Sequence, residues 1–440
     1  MTGMETTSGH PAFRVFRFSL LNPTSFTSFT WIPDGALVVN SEGSIAYSGC
    51  WADLPREYHA VPVEEYENCV ALPGFIDLHV HLPQFHARGK FGKDLLSWLH
   101  HVIFPIEATF ADPGVARRVA RSFFASLAAH GTTTAMVLAS VHEEATEIAF
   151  EEARRSRLRV ILGKINMDMD CPENLRESTT ESLAATERLI KNWHGATDKL
   201  RYAVTPRYAL SCSEDLLRGC ADLAGRYGTY IQTHINENLE EIKKVRERFH
   251  TSYAELYHRT GLLGKSTVLA HNVHPEEAEI DLLKRTDTAV AHCPDANLFL
   301  GSGKFNIEKH LDRGIRFGLG TDVGAGTSLS MLRTMRAMAY VQGRSLHPAG
   351  PLYTATRGGA VALGLEKTIG SLNPGACADF VVLDFATMEG DLRGLSADDA
   401  AAAIVYKADP HAVLKVYAGG EHVYSRDDQR RAGDQRIIDE

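Results

Sequence analysis

Short apolar runs alternate with turn residues near both ends of the chain, at residues 31–40, 43–49, 378–384 and 413–420. This pattern is typical of short strands joined by hairpins. Either end alone would bury too little apolar surface to be stable, so two separate small β-domains are the less economical interpretation. We therefore predict that the two ends combine into one small β-sandwich domain, formed by residues 1–72 and 368–440.

Between the two ends, apolar runs of strand length alternate with amphipathic helical stretches such as residues 214–226, 237–248 and 275–284. Eight such runs predict strands at residues 74–80, 132–139, 159–167, 202–208, 229–235, 267–270, 288–291 and 315–319. Eight strand–helix units within about 290 residues predict an α/β fold, a (β/α)8 barrel, for residues 73–367. A doubly wound parallel sheet is the alternative, but it often has a glycine-rich first turn, and this sequence has none.

Composition narrows the function. The chain has 440 residues, of which 44% are hydrophobic and 23% charged, which excludes intrinsic disorder for most of it. Its 46 Lys and Arg against 55 Asp and Glu give a formal net charge of −9, which argues against a nucleic acid or an anionic membrane as partner. No window approaches about 18 uninterrupted apolar residues, so we expect no transmembrane helix. The seven cysteines show no C-x-x-C spacing and the first residues show no signal-peptide pattern, so we expect a cytoplasmic protein.

Histidines offer the first candidate chemistry. His79 and His81 close the first predicted barrel strand, and side chains at i and i+2 of a strand share one face. With 20 histidines in the chain, about one H-x-H pair arises by chance, so the spacing alone means little. The position of the pair at the end of a barrel strand is what indicates a functional site, because the active sites of such barrels form at that rim.

Three further residues, His234, His271 and Asp322, each end another predicted barrel strand. Three neutral imidazoles with a carboxylate suit Zn²⁺ and leave one position for water, and Fe²⁺ fits the same donors. The fourth predicted strand ends without the lysine that bridges two ions in related architectures, so we expect one metal per chain. His292, at the end of the seventh strand, is either a further ligand or a hydrogen-bonded rim histidine.

Glu237 follows His234 by three residues and can lean over the same site. A hydrolase that expels an amine needs an acid to protonate the departing nitrogen, and a carboxyl group near the metal can supply that proton. The alternative is a solvated glutamate at the start of a helix. With the candidate ligands in place, we expect the catalytic role.

The motifs resemble those of the amidohydrolase superfamily, in its metal-dependent deaminase and chlorohydrolase branch, and are most similar to those of the guanine deaminase family. The similarity extends from about residue 73 to residue 363. Its segments are PGFIDLHVHLPQ (73–84), LLSWL (95–99), FPIE (104–107), GTTT (131–134), TPRY (205–208), NLFLGSG (297–303) and GTDVGAG (320–326).

The resemblance implies a role for each candidate residue. His79, His81, His234 and Asp322 would hold one zinc ion. His271 would orient the attacking water, and Asp322 would also accept a proton from it.

The resemblance also implies a purine pocket. Gln84 and Arg207 would hold the carbonyl and ring nitrogens of the base, Trp98 and Tyr208 would shape an aromatic slot, and Glu237 would contact the leaving amine. The implied reaction is the hydrolysis of guanine to xanthine and ammonia in purine catabolism, by a homodimer with a small-molecule substrate and no nucleic-acid partner.

One segment departs from the family pattern. Relatives usually carry a small hydroxyl residue before Asn297, where this chain has Asp295 and Ala296. If that hydroxyl touches the base, 8-oxoguanine or a pterin becomes the alternative substrate. A triazine-type chlorohydrolase would share the metal ligands but has no need of Gln84 and Arg207. A nucleic-acid base deaminase would require a P-C-x-x-C motif, which is absent. A catalytically inactive binding protein on the same fold would typically have lost metal ligands, and none is lost here.

Overall fold

The computed structural model describes residues 13–92, 94–342, 346–388 and 390–428. The strands of this part of the chain are β1 (Phe13–Ser25), β2 (Ser28–Asn40), β3 (Ile45–Cys50), β4 (Val63–Pro73), β5 (Phe75–His81), β6 (Thr132–Leu138), β7 (Arg159–Gly163), β8 (Ile165–Asn166), β9 (Leu200–Pro206), β10 (Tyr230–Ile235), β11 (Thr267–His271), β12 (Ala289–His292), β13 (Phe317–Leu319), β14 (Phe380–Asp384), β15 (Val413–Ala418) and β16 (Glu421–Ser425).

The α-helices of the described residues follow the barrel strands or cover the junction with the terminal segments. They are α1 (Leu95–Trp98), α2 (Phe104–Ala108), α3 (Pro113–Ala129), α4 (Glu143–Ser156), α5 (Thr179–Trp193), α6 (Glu214–Tyr227), α7 (Leu239–Phe249), α8 (Tyr253–Arg259), α9 (Glu277–Arg285), α10 (Pro294–Phe299), α11 (Ile307–Asp312), α12 (Met331–Val341), α13 (Ala349–Ala355), α14 (Arg357–Leu363) and α15 (Ala397–Lys407).

Helix α6 illustrates how the sequence sets these boundaries. The Ser213 hydroxyl accepts a hydrogen bond from the amide of Leu216 and caps the first turn. The helix ends at Gly228, whose φ of 65° is the left-handed conformation that glycine adopts without steric cost. Its buried residues recur with helical spacing and face the barrel strands: Leu216, Leu217, Cys220, Leu223 and Ala224.

Parallel strands form the barrel, in the order β5-β6-β7-β9-β10-β11-β12-β13, with β8 paired to β9. Backbone hydrogen bonds join the segment after β13 to β5: the amide of Asp322 donates to the carbonyl of His79 (2.8 Å), and the amide of His81 donates to the carbonyl of Val323 (3.0 Å). These contacts nearly close the barrel and confirm the predicted (β/α)8 architecture.

The predicted strand 159–167 is interrupted at Lys164, so β7 and β8 are separate elements. The Lys164 ammonium is fully buried, donates to the carbonyl of Ile165 (3.1 Å) and forms an ion pair with Glu177. A buried ammonium needs such partners. The backbone amide of Lys164 donates to the Tyr202 hydroxyl (3.2 Å), and Lys164 takes no part in the pairing of β7 or β8 with β9. The apolar run predicted the strand but could not show this break.

The two chain ends form one mixed sheet in the order β16-β15-β14-β4-β1-β2-β3, as the predicted combination of the ends required. β14 from the C-terminal segment pairs antiparallel with β4, while β1 pairs parallel with β4. The sheet has an apolar cluster of its own, in which the rings of Phe16, Phe380 and Tyr417 pack edge-on or stacked. The predicted domain boundaries at 72/73 and 367/368 stay predictions, and residues 1–12 and 429–440 of that domain lie outside the described part of the chain.

Within the described residues, no helix is both long enough and apolar enough to span a membrane.

Candidate active site

Five predicted site residues converge at the end of the barrel where its strands terminate. His79 and His81 lie on β5, His234 lies on β10, and His271 is the last residue of β11. Asp322 lies three residues after β13 and is held against β5 by the hydrogen bond from its amide to His79. All five side chains are buried.

The donor atoms of the cluster are close together. His81 Nε2 lies 3.2 Å from His79 Nε2 and 3.2 Å from His234 Nε2. Asp322 Oδ1 lies 3.3 Å from both His79 Nε2 and His81 Nε2. In a tetrahedral site with bonds of about 2.0–2.1 Å, ligand atoms are separated by about 3.3 Å, so these separations fit one small divalent ion.

His271 lies beside the same group. One donor atom from each of His79, His234, His271 and Asp322 falls within 4.8 Å of the others. His271 Nε2 is nevertheless 3.8 Å from Asp322 Oδ2, farther than His81 Nε2 is from Asp322 Oδ1. The distances therefore favour His81 as the fourth donor and leave His271 at the edge of the cluster.

Hydrogen bonds on the outer ring nitrogens orient two of these imidazoles. His234 Nδ1 donates to the backbone carbonyl of Arg207 (2.6 Å), which turns Nε2 toward the cluster. His271 Nδ1 donates to Asn297 Oδ1 (2.9 Å), and its Nε2 has no hydrogen-bond partner among the described residues. Partners of this kind are typical of histidines at metal sites, because they fix the tautomer and the ring plane.

The protonation states of the cluster also favour metal binding. Burial lowers the pKa of His79 to about 4 and lowers that of His234 well below its ordinary value, so both rings are neutral ligands at pH 7. Burial alone would raise the pKa of Asp322, but hydrogen bonds with His79 and His81 hold it well below its usual range. His79 and His234 thus offer neutral imidazoles and Asp322 a carboxylate, donors that suit a divalent metal.

Backbone strain marks two of these positions. His271 has a φ of 74° and Asp322 a φ of 49°, both in the left-handed region that non-glycine residues rarely adopt. Each such residue costs about 1–3 kcal/mol and persists only where its surroundings impose it. Here the conformation aims both side chains into the mouth of the barrel.

Glu237, in the loop between β10 and α7, faces the cluster. Its Oε2 lies 3.5 Å from His271 Nε2, and its Oε1 accepts a hydrogen bond from Ser302 Oγ (3.3 Å). Burial raises the pKa of Glu237 to about 7. A carboxyl group with a pKa near the working pH can both accept and donate a proton, as a general acid and base must.

The predicted substrate contacts line one cavity with the cluster. Gln84, Trp98, Arg207 and Tyr208 share a cavity with His81, His234, Glu237, His271 and Asp322. The Trp98 indole N–H donates to the backbone carbonyl of Lys90 (2.8 Å), so Trp98 offers the cavity an apolar ring.

Two buried glutamates of the site were not predicted. Glu107 accepts hydrogen bonds from Gln84 Nε2 (2.9 Å) and Arg207 Nη1 (2.5 Å). It belongs to the FPIE segment, which carries the family resemblance but does not by itself indicate these contacts. Glu241 lines the cavity, and its carboxylate accepts from the Tyr253 hydroxyl (2.6 Å). In the predicted helix 237–248, Glu241 lies one turn after Glu237 on the same face, and this spacing could have identified it as a site residue.

His292 lies apart from the metal cluster. It stacks on the ring of Phe305 at 4.4 Å, and neither ring nitrogen has a hydrogen-bond partner among the described residues. Burial lowers its pKa to about 3, so the ring is neutral and packs as an aromatic side chain. Neither expected role, ligand or hydrogen-bonded rim residue, matches this placement.

The departure at Asp295 and Ala296 does not reach the cavity. Asp295 Oδ2 accepts hydrogen bonds from the amide (2.5 Å) and the hydroxyl (2.8 Å) of Thr327, which ties α10 to the loop after β13. Ala296 is buried, and it is not among the described residues that line the cavity.

Comparisons with known proteins agree with this architecture. The model of the amidohydrolase family matches residues 70–423. The guanine deaminase of Escherichia coli K12 is 36% identical over 417 residues, covering 92% of this chain and 94% of that protein. A probable guanine deaminase of Deinococcus radiodurans is 40% identical over 391 residues, covering 84% of this chain and 88% of that protein. The solved structure of a guanine deaminase from C. acetobutylicum, with guanine bound in its active site, superposes with a TM-score of 0.88 at 29% identity, covering 94% of this chain and all of that one.

Proposed function

The chain belongs to the amidohydrolase family, and from that premise we propose that it hydrolyses guanine to xanthine and ammonia. The observation that carries this function is the shared cavity: it places the histidine–aspartate cluster beside Arg207 and Gln84. The first group suits hydrolysis, and the second suits recognition of a polar heterocycle. The guanine deaminases among its relatives support the same substrate.

The metal fits the donor set already described. His79, His81, His234 and Asp322 would hold one zinc ion per chain, and Fe²⁺ fits the same donors. A divalent ion at this position supplies a Lewis acid that lowers the pKa of water and so generates a nucleophile at neutral pH.

Arg207 and Gln84 bind and orient the base. The guanidinium offers several donors in a planar fork, which match the O6 and ring-nitrogen acceptors of guanine. The Gln84 amide adds both a donor and an acceptor, and the rings of Trp98 and Tyr208 give the base apolar walls. In this pose the amino-bearing C2 of guanine faces the cluster.

Glu237 moves the proton that the reaction needs. A bond forms between C2 and the oxygen of water, the bond between C2 and the exocyclic nitrogen breaks, and that nitrogen leaves as ammonia. Glu237 Oε2 delivers the proton to the leaving nitrogen, His271 Nε2 orients the attacking water, and Asp322 accepts a proton from it. The 3.5 Å separation of Glu237 Oε2 from His271 Nε2 supports the shared task.

The alternative substrates have weaker support. The departure at Ala296 was the reason to consider 8-oxoguanine or a pterin, and Ala296 does not line the cavity. A triazine-type chlorohydrolase has no need of a buried guanidinium and amide facing its substrate, whereas Arg207 and Gln84 both line the cavity here.

We propose a cytoplasmic homodimer that acts in purine catabolism on a free base, with neither a nucleic acid nor a membrane as partner. Light scattering of the purified protein tests the dimer: a mass of two chains supports it, and a monomer would contradict it.

Ammonia release from a panel of heterocycles tests the function. Guanine, 8-oxoguanine, a pterin and an aminotriazine are assayed with the metal-loaded protein. We expect guanine to give the highest kcat/KM, whereas activity confined to another member of the panel would replace guanine as the substrate.

A further inference from the structure

Glu107 is a buried carboxylate behind the wall of the cavity. It lies on α2, is 3% exposed and is not among the described residues that line the cavity. Its two oxygens are both engaged: Oε1 accepts from Gln84 Nε2 (2.9 Å), and Oε2 accepts from Arg207 Nη1 (2.5 Å). One residue therefore supports both of the side chains that we assign to base recognition.

The first consequence concerns geometry. Gln84 Nε2 donates to Glu107, and Gln84 Oε1 accepts from the amide of Gly324 (3.2 Å), so the two ends of the amide cannot exchange. Arg207 is held by Glu107 on one edge and by the ring of Phe104, 5.0 Å from the guanidinium carbon. Both groups are therefore oriented before a base enters, which lowers the entropic cost of binding.

The second consequence concerns charge. Among the described residues, Glu107 is the carboxylate paired with the Arg207 guanidinium, and the two side chains are only 4% and 2% exposed. Removing one partner of a buried pair leaves an uncompensated charge, which then gains from any counter-ion that reaches it. Without Glu107, the nearest place for such an anion is the cavity that Arg207 lines.

We propose that Glu107 is a positioning and specificity-determining residue, which neutralises Arg207 so that the cavity selects a neutral purine over an anionic one. This inference rests on the proposed function. Guanine is neutral near pH 7, whereas purines that carry a carbonyl group in place of its amino group ionise more readily, and xanthine, the product, is among them. A neutral recognition pair thus favours the substrate and releases the product.

The test compares two purines that carry no amino group to be removed. Hypoxanthine is the neutral probe and urate the anionic probe, and calorimetry at neutral pH gives both dissociation constants for the parent protein and for Glu107→Gln. The expected result is a shift of the urate-to-hypoxanthine preference toward urate by at least about tenfold. A purely structural role would weaken both ligands alike, and an unchanged ratio would overturn the proposal.

Three further variants separate charge from packing. Glu107→Asp keeps the charge on a shorter side chain, so the ratio stays within about twofold of the parent while hypoxanthine binds more weakly. Arg207→Met removes the cation and leaves Glu107 unpaired, so the ratio shifts away from urate, a result that serves even where Glu107→Gln does not fold. Glu152→Gln is the matched control: Glu152 is a buried carboxylate paired with Arg117 and Arg155 on the outside of the barrel, and its loss leaves the ratio unchanged.

These binding measurements, together with the assay of ammonia release, distinguish the two proposals. A parent protein that binds both probes but releases no ammonia from guanine refutes the proposed function and still tests Glu107. A parent protein that deaminates guanine, with a ratio unaffected by Glu107→Gln, refutes only the role of Glu107.

Discussion

Glu237 is the residue whose chemistry is simplest to isolate, because glutamine keeps its shape and removes its proton. We expect Glu237→Gln to retain the metal and the fold but to lower kcat by about 10²-fold or more, since the leaving nitrogen loses its proton donor. Steady-state ammonia release measures kcat, and elemental analysis measures the metal. Glu240→Gln is the matched control, because Glu240 is exposed three residues away. Turnover near the parent rate in Glu237→Gln would remove this residue from the mechanism.

Even a conservative substitution of Arg207 is expected to impair binding of the base. Lysine keeps the positive charge but has a compact ammonium in place of the planar fork, so its donors cannot reproduce the paired contacts of the guanidinium with Glu107 and with the edge of the base. We expect Arg207→Lys to lower kcat/KM for guanine by about 10²-fold, because polar groups of the base are left unpaired.

The control for this change is Arg218→Lys, since Arg218 lies on the outer face of α6 with a half-exposed side chain. It should leave kcat/KM unchanged. An unchanged kcat/KM for guanine in Arg207→Lys would mean that the base binds elsewhere.

The sequence predicted the residues whose positions depend on strand geometry. His79 and His81 share a face because strands have a period of two, and His234 and His271 lie where their strands end. Glu107 could not be predicted in the same way. Its contacts depend on the π-helical turn Leu99–Ile103 that precedes α2 and brings it behind Gln84 and Arg207. His292 has the sequence position of a ligand, but its ring turns toward Phe305.

At the scale of elements, the pairing of β7 with β9 depends on a glycine. A Cβ added at Gly163 would lie 1.7 Å from the backbone carbonyl oxygen of Ala203, and a backbone atom cannot move aside cheaply. We expect Gly163→Ala to destabilise the barrel by about 3 kcal/mol, at the upper end of typical overpacking costs. Thermal denaturation followed by circular dichroism gives the change.

Gly225→Ala provides the matched comparison. Gly225 lies within α6, and a Cβ there meets no atom within 4 Å. Alanine should raise the stability by about 0.5–1 kcal/mol, because it is the better helix former. Equal effects of the two substitutions would contradict the close approach of β7 and β9.

Element boundaries show where sequence patterns lose information. Helix α6 was predicted at residues 214–226 and spans Glu214–Tyr227, because its cap and its terminal glycine are local signals. The strand predicted at 315–319 is shorter, Phe317–Leu319, and the one predicted at 202–208 begins earlier, at Leu200. Their ends are set by pairing with neighbouring strands, which a single sequence does not reveal.

At the scale of the whole molecule, the proposed metal site links distant parts of the chain. Its proposed donors come from β5, from β10 and from the segment after β13, so an ion bound there would stabilise the folded barrel. We expect dialysis against a chelator to abolish ammonia release and to lower the midpoint of thermal unfolding, and Zn²⁺ to restore both. Elemental analysis should give about one metal per chain. Two metals per chain, or full activity without metal, would contradict the single-ion site.

The combination of the chain ends into one small β-domain was predicted, as a sandwich, from the burial each end needs, and the pairing of β14 with β4 in one mixed sheet confirms that the ends combine. The strand order of that sheet could not be predicted, because it depends on pairing between strands from opposite ends of the chain, which local patterns do not reveal.

The relative rate of deamination of guanine and adenine is the sharpest test of guanine as the substrate of this site. Guanine can place its O6 at Arg207 and its amino-bearing C2 at the cluster, whereas adenine has its amino group where the carbonyl contact is required. Sites built to bind a polar group can reject an analogue that lacks it by about 10⁴-fold. We expect xanthine and ammonia in equal amounts from guanine, with kcat/KM for adenine at least about 10³-fold lower for the same reason. Comparable rates on the two bases, or no ammonia from guanine with the metal-loaded protein, would contradict it.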